Sequence, residues 1–177
     1  LVYRIYIGHM AKDASLALTG VGLTFPIISI ISAFGFLFSS GGAPLCSIER
    51  GRGNHEKAKK LRGNCFSMLI FTAILMMLIF YIFMRPILFA FGASEATYVY
   101  ASQYLVIYLL GTIFTMVSSG MNAFINAQGF SRVGMATTVV GAVANSILDP
   151  IFIFGLHLGV RGAAIATVIS QFLSFLW

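Results

Sequence analysis

The stretch "ANSILDPIFIFG", Ala144–Gly155, places a carboxylate and a proline side by side within an otherwise apolar segment. Asp149 directly precedes Pro150 there. A charged side chain at the centre of a bilayer costs roughly 2.5–3.5 kcal/mol on insertion scales, so carboxylates inside membranes usually face a cavity and serve a function. The surrounding sequence decides whether this segment crosses a membrane.

The composition is that of a membrane protein. Of the 177 residues, 59% are hydrophobic and 9% are charged, whereas soluble domains contain about 25% charged residues. The apolar stretches lack the strict alternation of barrel strands, so α-helices are the structure that satisfies their backbone in lipid. The expected fold is therefore all-α, a polytopic bundle of transmembrane helices.

The apolar stretches set the expected organisation of the chain. Transmembrane spans are expected at about residues 14–48, 63–83, 97–126, 133–156 and 162–177. Residues 1–8 resemble the end of a further helix, and residues 49–62 are expected to form a basic cytoplasmic loop. The first span exceeds the roughly 20 residues that cross the hydrocarbon, which predicts a tilt, a protrusion or a hinge at Pro26. Because the chain starts at Leu1 and stops within an apolar run, we expect a longer parent protein.

The net charge of +6 is concentrated in one place, since six of the eleven Lys and Arg residues lie between Arg50 and Arg62. Such a cluster beside apolar spans marks a cytoplasmic loop and not a nucleic-acid surface, and contact with anionic lipid is a second possibility. The two loops on this side hold seven Lys and Arg residues against three on the other side, which supports the orientation. Cys46 and Cys65 flank the loop and are expected to stay reduced.

The sequence predicts no enzyme. It contains no P-loop, HExxH or GxSxG motif, which are the patterns of common catalytic sites. The three histidines lie in separate predicted loops, so no metal centre is expected apart from a Na⁺ site at Asp149, and no cofactor apart from a coupling ion.

Local chemistry around Asp149 suits a cation. Asn145 and Asp149 are four residues apart and share one face of a helix. Pro150 has no amide hydrogen, so it leaves the Ser146 carbonyl without its helical donor and provides a hinge. The expected result is a cluster of carboxylate, amide, hydroxyl and carbonyl oxygens, which suits H⁺ or Na⁺. In the alternative interpretation, Asp149 accepts hydrogen bonds from a neighbouring helix and Asn145 packs between helices.

Several motifs together resemble a known family. They are "NSILDPIFIFGLHLGVRGAAIATVISQ" at 145–171, "FINAQGFSR" at 124–132, "RIYIGHM" with "ALTGVGLTFPI", and "ERGRGNHEKAKKLRGN". In this order and spacing, the set resembles the MATE transporters (multidrug and toxic compound extrusion). The resemblance implies a twelve-helix exporter of the bacterial cytoplasmic membrane, which moves organic, often cationic, drugs outward against Na⁺ or H⁺. This chain would be most of its amino-terminal lobe, and the carboxyl-terminal lobe would be missing.

The resemblance also implies a set of site residues. Asp149 and Asn145 match the carboxylate and amide of the family's cation site, and Thr167 matches a hydroxyl from the sixth helix. Asn122 and Tyr104 match polar positions on the fourth helix.

Two further features qualify this set. Tyr100, Tyr104 and Tyr108 form a stripe that is a candidate substrate path, although an aromatic stripe at this spacing is more often packing. Similar prokaryotic members read "VDRIYIG" where this chain has "VYRIYIG", so Tyr3 stands in place of a carboxylate. A cation site with Asp149 alone compensates Na⁺ less well, which favours H⁺.

Two other functions are compatible with the sequence. One is a lipid-linked oligosaccharide flippase of the same superfamily, which the absence of a mid-membrane arginine cluster disfavours. The other is a membrane scaffold without transport activity. The expected partners are the lipid bilayer, small drug-like substrates and the missing lobe, with no nucleic acid.

Overall fold

The computed structural model describes residues 14–177. The expected helix end at 1–8 and the substitution at Tyr3 lie outside the described residues. Within them the chain forms α-helices, with one π-helical turn and no strand. The helices are α1 (Ala14–Gly22), α2 (Phe25–Gly51), α3 (His55–Ile82), α4 (Met84–Ala90), α5 (Glu95–Leu110), α6 (Thr112–Ala127), α7 (Ser131–Pro150) and α8 (Gly159–Leu176), with the π-helical turn at Ile151–Gly155 between the last two. The prediction of an all-α fold is confirmed.

The span expected at 14–48 consists of α1 and α2, which are interrupted at residues 23 and 24. The Thr24 hydroxyl donates to the Val21 carbonyl at 2.7 Å, which satisfies one group at the interruption. Pro26 lies in the first turn of α2, where a missing amide hydrogen costs no helical hydrogen bond. Together α1 and α2 cover 38 residues of a single apolar stretch.

The prediction of a loop over residues 49–62 is wrong. Helix α2 continues to Gly51 and α3 begins at His55, so only residues 52–54 connect them. Gly53 has a φ of +79° and makes the reversal possible. The basic residues after His55 form the first two turns of α3, because Lys, Arg and Glu are good helix formers and extend a span beyond the apolar core.

The span expected at 97–126 is also divided. Helices α5 and α6 meet at Gly111 and are bent by 57° relative to each other. A Cβ atom at Gly111 would lie 2.8 Å from the Val168 side chain, so glycine permits the close approach of α8. The expected spans 133–156 and 162–177 correspond to α7 with its π-helical turn and to α8.

The helices form a bundle whose outer surface is apolar. Helix α2 packs against α3 and α6, α7 packs against α8, and α5 lies between α1 and α8. Large side chains such as Phe36, Phe71 and Ile82 are about 70% exposed on the outer surface (73%, 69% and 72%), as expected for side chains that face lipid. Among the described residues, four helices are long and apolar enough to cross a membrane, or five spans if the bent pair counts as one.

Candidate functional site

Asp149 lies in the last turn of α7 and has no solvent-exposed surface. Its Oδ1 accepts a hydrogen bond from Asn145 Nδ2 at 3.2 Å, so the predicted contact across one helical turn is present. Its Oδ2 has no hydrogen-bond partner among the described residues. Because buried polar atoms are nearly always paired, an orphaned carboxylate oxygen points to a ligand or a proton.

The helix changes geometry directly after Asp149. Pro150 ends α7, and the chain continues as a π-helical turn in which Leu156 N donates to the Ile151 carbonyl at 2.9 Å. A Cβ atom at Gly162 would lie 2.5 Å from the Phe152 carbonyl oxygen, so α8 contacts this turn backbone to backbone. Such π-helical turns are frequent at functional sites. The proposed role of Pro150 as a hinge remains a prediction.

A polar cavity of about 400 Å³ lies between α6, α7 and α8. Three predicted site residues line it: Asn122, Asn145 and Thr167. The rest of its lining consists of Ser118, Ser119, Thr137, Thr138, Gly141, Ala142, Ser170, Gln171 and Ser174. No charged side chain belongs to this lining in the described part of the chain. The cavity therefore offers hydroxyl and amide groups without a fixed charge.

Asn145 is the connection between this cavity and Asp149. Its side chain lines the cavity and also donates to the buried carboxylate. Thr167 donates its hydroxyl to the Ala163 carbonyl at 2.8 Å, so the oxygen can still accept a hydrogen bond or coordinate a cation. Asn122 donates to the Gly134 carbonyl at 2.8 Å and joins α6 to α7.

The predicted cluster of oxygen atoms around Asp149 is wrong in one respect, because the Ser146 hydroxyl does not belong to it. The Ser146 side chain is exposed, and its hydroxyl donates to the Ala142 carbonyl at 2.9 Å. Ser146 lies on the exposed side of α7, whereas Asp149 is fully buried, although residues three apart are neighbours on a helix surface. The described cluster at the carboxylate is therefore Asp149 with Asn145.

The tyrosine stripe lies in the protein core. Tyr104 and Tyr108 are 1% and 5% exposed, and their rings stack with centroids 6.0 Å apart. Tyr100 is half-buried, and α1 approaches it closely at Gly20. None of the three belongs to the lining of the cavity between α6, α7 and α8. These contacts are those of packing residues, and a substrate path along the stripe remains a prediction.

Sequence reasoning missed most of the hydroxyl groups in the cavity. Thr137, Gly141 and Asn145 follow each other at intervals of four, as do Ser170 and Ser174. This spacing places each set on one helix face. A search for small polar residues at helical spacing would have found both faces.

The helical bundle, with four or five candidate spans among the described residues and a polar cavity between α6, α7 and α8, has the architecture of a multi-pass membrane protein. The chain belongs to the MatE family, whose model matches residues 1–151. Members of this family are transporters and not enzymes, and they lie in the bacterial plasma membrane. The prediction of the family and of the membrane location is confirmed.

Similar proteins and solved structures support this assignment to the MatE family. The multidrug export protein MepA of Staphylococcus haemolyticus (strain JCSC1435) is 35% identical over 170 residues, which are 94% of this chain and 36% of that protein. The Vibrio cholerae MATE transporter VcmN in its bent form is 28% identical, with a TM-score of 0.89 over 99% of this chain and 39% of that one. A MATE crystal structure in the bent conformation has a TM-score of 0.93 at 23% identity, covering 99% and 38%, which establishes the fold. The chain thus spans less than two-fifths of the relatives that it matches.

Proposed function

We propose that this chain is the amino-terminal lobe of a multidrug exporter that couples the outward movement of organic, often cationic, compounds to the entry of H⁺ or Na⁺. The observation that carries the proposal is the buried Asp149. Its Oδ2 has no partner among the described residues, and its Oδ1 accepts from Asn145, which lines a neutral polar cavity. The names of the relatives, multidrug export proteins, support the substrate class.

The geometry suggests how the two ligands compete. An ionised Asp149 attracts a cationic drug into a cavity whose own lining carries no charge to oppose it. Binding of H⁺ or Na⁺ at Oδ2 neutralises the carboxylate and removes this attraction. The drug and the cation therefore favour different states of the same group, which is the differential affinity that coupling requires.

The proposal includes a second lobe. Many transporters place their binding site between two structural repeats, and alternating access moves one repeat against the other. The chain covers 36% of its staphylococcal relative, so a further lobe would supply the opposing wall of the cavity.

A flippase for anionic lipid-linked sugars is less well supported. Such a substrate needs cationic groups in the cavity, and the lining between α6, α7 and α8 contains no Lys or Arg. A scaffold without transport activity would not account for a buried carboxylate oxygen that lacks a partner among the described residues.

The test is drug efflux from proteoliposomes that contain the complete transporter under an imposed Na⁺ or H⁺ gradient. Asp149→Asn keeps the shape of the side chain and removes its ionisable charge, so we expect gradient-driven efflux to fall at least tenfold. Ser146→Ala is the matched control, because it alters an exposed hydroxyl one turn earlier on α7. Wild-type efflux by Asp149→Asn under both gradients would reduce Asp149 to a packing residue.

A further inference from the structure

A second cavity is lined by basic side chains, whereas the first has no charged side chain in its described lining. It measures about 230 Å³ and is found where the end of α2, the start of α3 and the turn between α6 and α7 meet. Its lining consists of Cys46, Arg50, His55, Ala58, Lys59, Arg62 and Gln128. The positive-inside rule assigns this end of the bundle to the cytoplasm.

Glu49, in the last turn of α2, already pairs with other residues. Glu49 is 6% exposed and accepts hydrogen bonds from Arg52 at 3.3 Å, Asn54 at 2.9 Å and Lys57 at 3.1 Å. These contacts close the short connection between α2 and α3. Glu49 therefore forms ion pairs with Arg52 and Lys57, and neither of these two cations lines the cavity.

The cations that do line the cavity are left without a carboxylate. Arg50, Lys59 and Arg62 form no ion pair with any described residue, and all three are exposed. Glu56 forms no ion pair either, although it is close to them in sequence. Three uncompensated cations around one small cavity repel each other, and a bound anion would offset this repulsion.

The position of the cavity at the cytoplasmic end of the bundle indicates which kind of anion could bind there. Leu45 and Ile48 on α2 are 52% and 50% exposed, and Phe66 on α3 is 39% exposed. These exposed apolar side chains lie within five residues in sequence of Arg50 or Arg62, at the same ends of α2 and α3, although none of them lines the cavity. Basic pockets between membrane helices on the cytoplasmic side bind lipid phosphates, and guanidinium groups pair with phosphate in a two-pronged geometry.

We propose that this cavity binds the phosphodiester headgroup of an anionic lipid from the cytoplasmic leaflet. Arg50, Lys59 and Arg62 hold the phosphate, and the apolar side chains of α2 and α3 contact the acyl chains. This site shares no lining residue with the cavity between α6, α7 and α8.

Native mass spectrometry of the complete transporter in a neutral detergent tests the proposal, with phosphatidylglycerol as the probe. Phosphatidylcholine of the same chain length and soluble glycerol phosphate are the comparison ligands. We expect one phosphatidylglycerol per chain to bind at least tenfold more tightly than either of them. Equal binding of phosphatidylcholine would refute a site for an anionic headgroup, and equal binding of glycerol phosphate would refute a lipid as the occupant.

A pair of charge-matched double variants tests the location. Lys59→Gln with Arg62→Gln should weaken phosphatidylglycerol binding at least tenfold. Lys60→Gln with Arg132→Gln removes the same charge from exposed residues that do not line the cavity, and should change binding less than twofold. All four side chains are exposed, and circular dichroism and gel filtration confirm that each variant is folded. Equal weakening by both variants would mean diffuse attraction by the whole basic end and would overturn the proposal.

Discussion

The two carboxylate oxygens of Asp149 have different surroundings, and this difference leaves one of them available to a proton or a cation. Oδ1 accepts from Asn145, whereas Oδ2 has no partner among residues 14–177. The spacing of four residues was sufficient to predict the contact with Asn145, because α-helical geometry fixes it. The orientation of Ser146 away from the carboxylate depends on which face of α7 is buried, which local spacing alone does not determine.

The hydrogen bond between these two side chains can be measured by a double-mutant cycle. Asn145→Ala leaves Oδ1 without its described donor, and an unpaired buried polar group costs about 1–3 kcal/mol. In an Asp149→Asn background the acceptor is no longer a carboxylate, so Asn145→Ala should cost less than half as much. Thermal unfolding of the four proteins in detergent gives the coupling. Additive effects would show that Asn145 stabilises α7 independently of Asp149.

At the scale of the element, the sequence predicted where helices exist better than where they end. The start of α5 carries a local signal, since Ser94 and Thr97 form a reciprocal capping box. Helices α2, α3, α6 and α7 begin without a side-chain cap, so their first residues could not be predicted from composition. The bend at Gly111 is accompanied by a close contact with Val168 of α8, which is distant in sequence, and the π-helical turn after Pro150 packs against Gly162 of the same helix.

The π-helical turn leads to a prediction about Pro150. Pro150→Ala restores an amide hydrogen and favours a continuous α-helix through residues 151–155. We expect drug turnover to fall at least fivefold while cation affinity changes less than twofold, since the proline contributes no ligand atom. Pro44→Ala is the control, because Pro44 also lies inside a helix but outside the candidate site. Equal effects of the two substitutions on turnover would argue against a hinge at Pro150.

At the scale of the whole molecule, the charge distribution predicts the orientation in the membrane. The basic end of α3 should face the cytoplasm, and the Arg85–Glu95 ion pair, whose side chains are 65% and 74% exposed, should face outward. Cysteines introduced in place of Lys60 or Glu95 can be labelled in intact cells, in a background from which the native cysteines have been removed. An impermeant reagent should label the Glu95→Cys variant and spare the Lys60→Cys variant. The reverse pattern would invert the topology.

The central claim is that Asp149 makes drug export depend on cation entry. Its most direct test is the cation flux itself, recorded with a pH-sensitive or Na⁺-sensitive dye in proteoliposomes that contain the complete transporter. An outward drug gradient should drive H⁺ or Na⁺ in the opposite direction, and Asp149→Asn should abolish this counterflux. Drug movement by the unaltered protein without movement of either cation, or an unchanged counterflux in Asp149→Asn, would contradict the account.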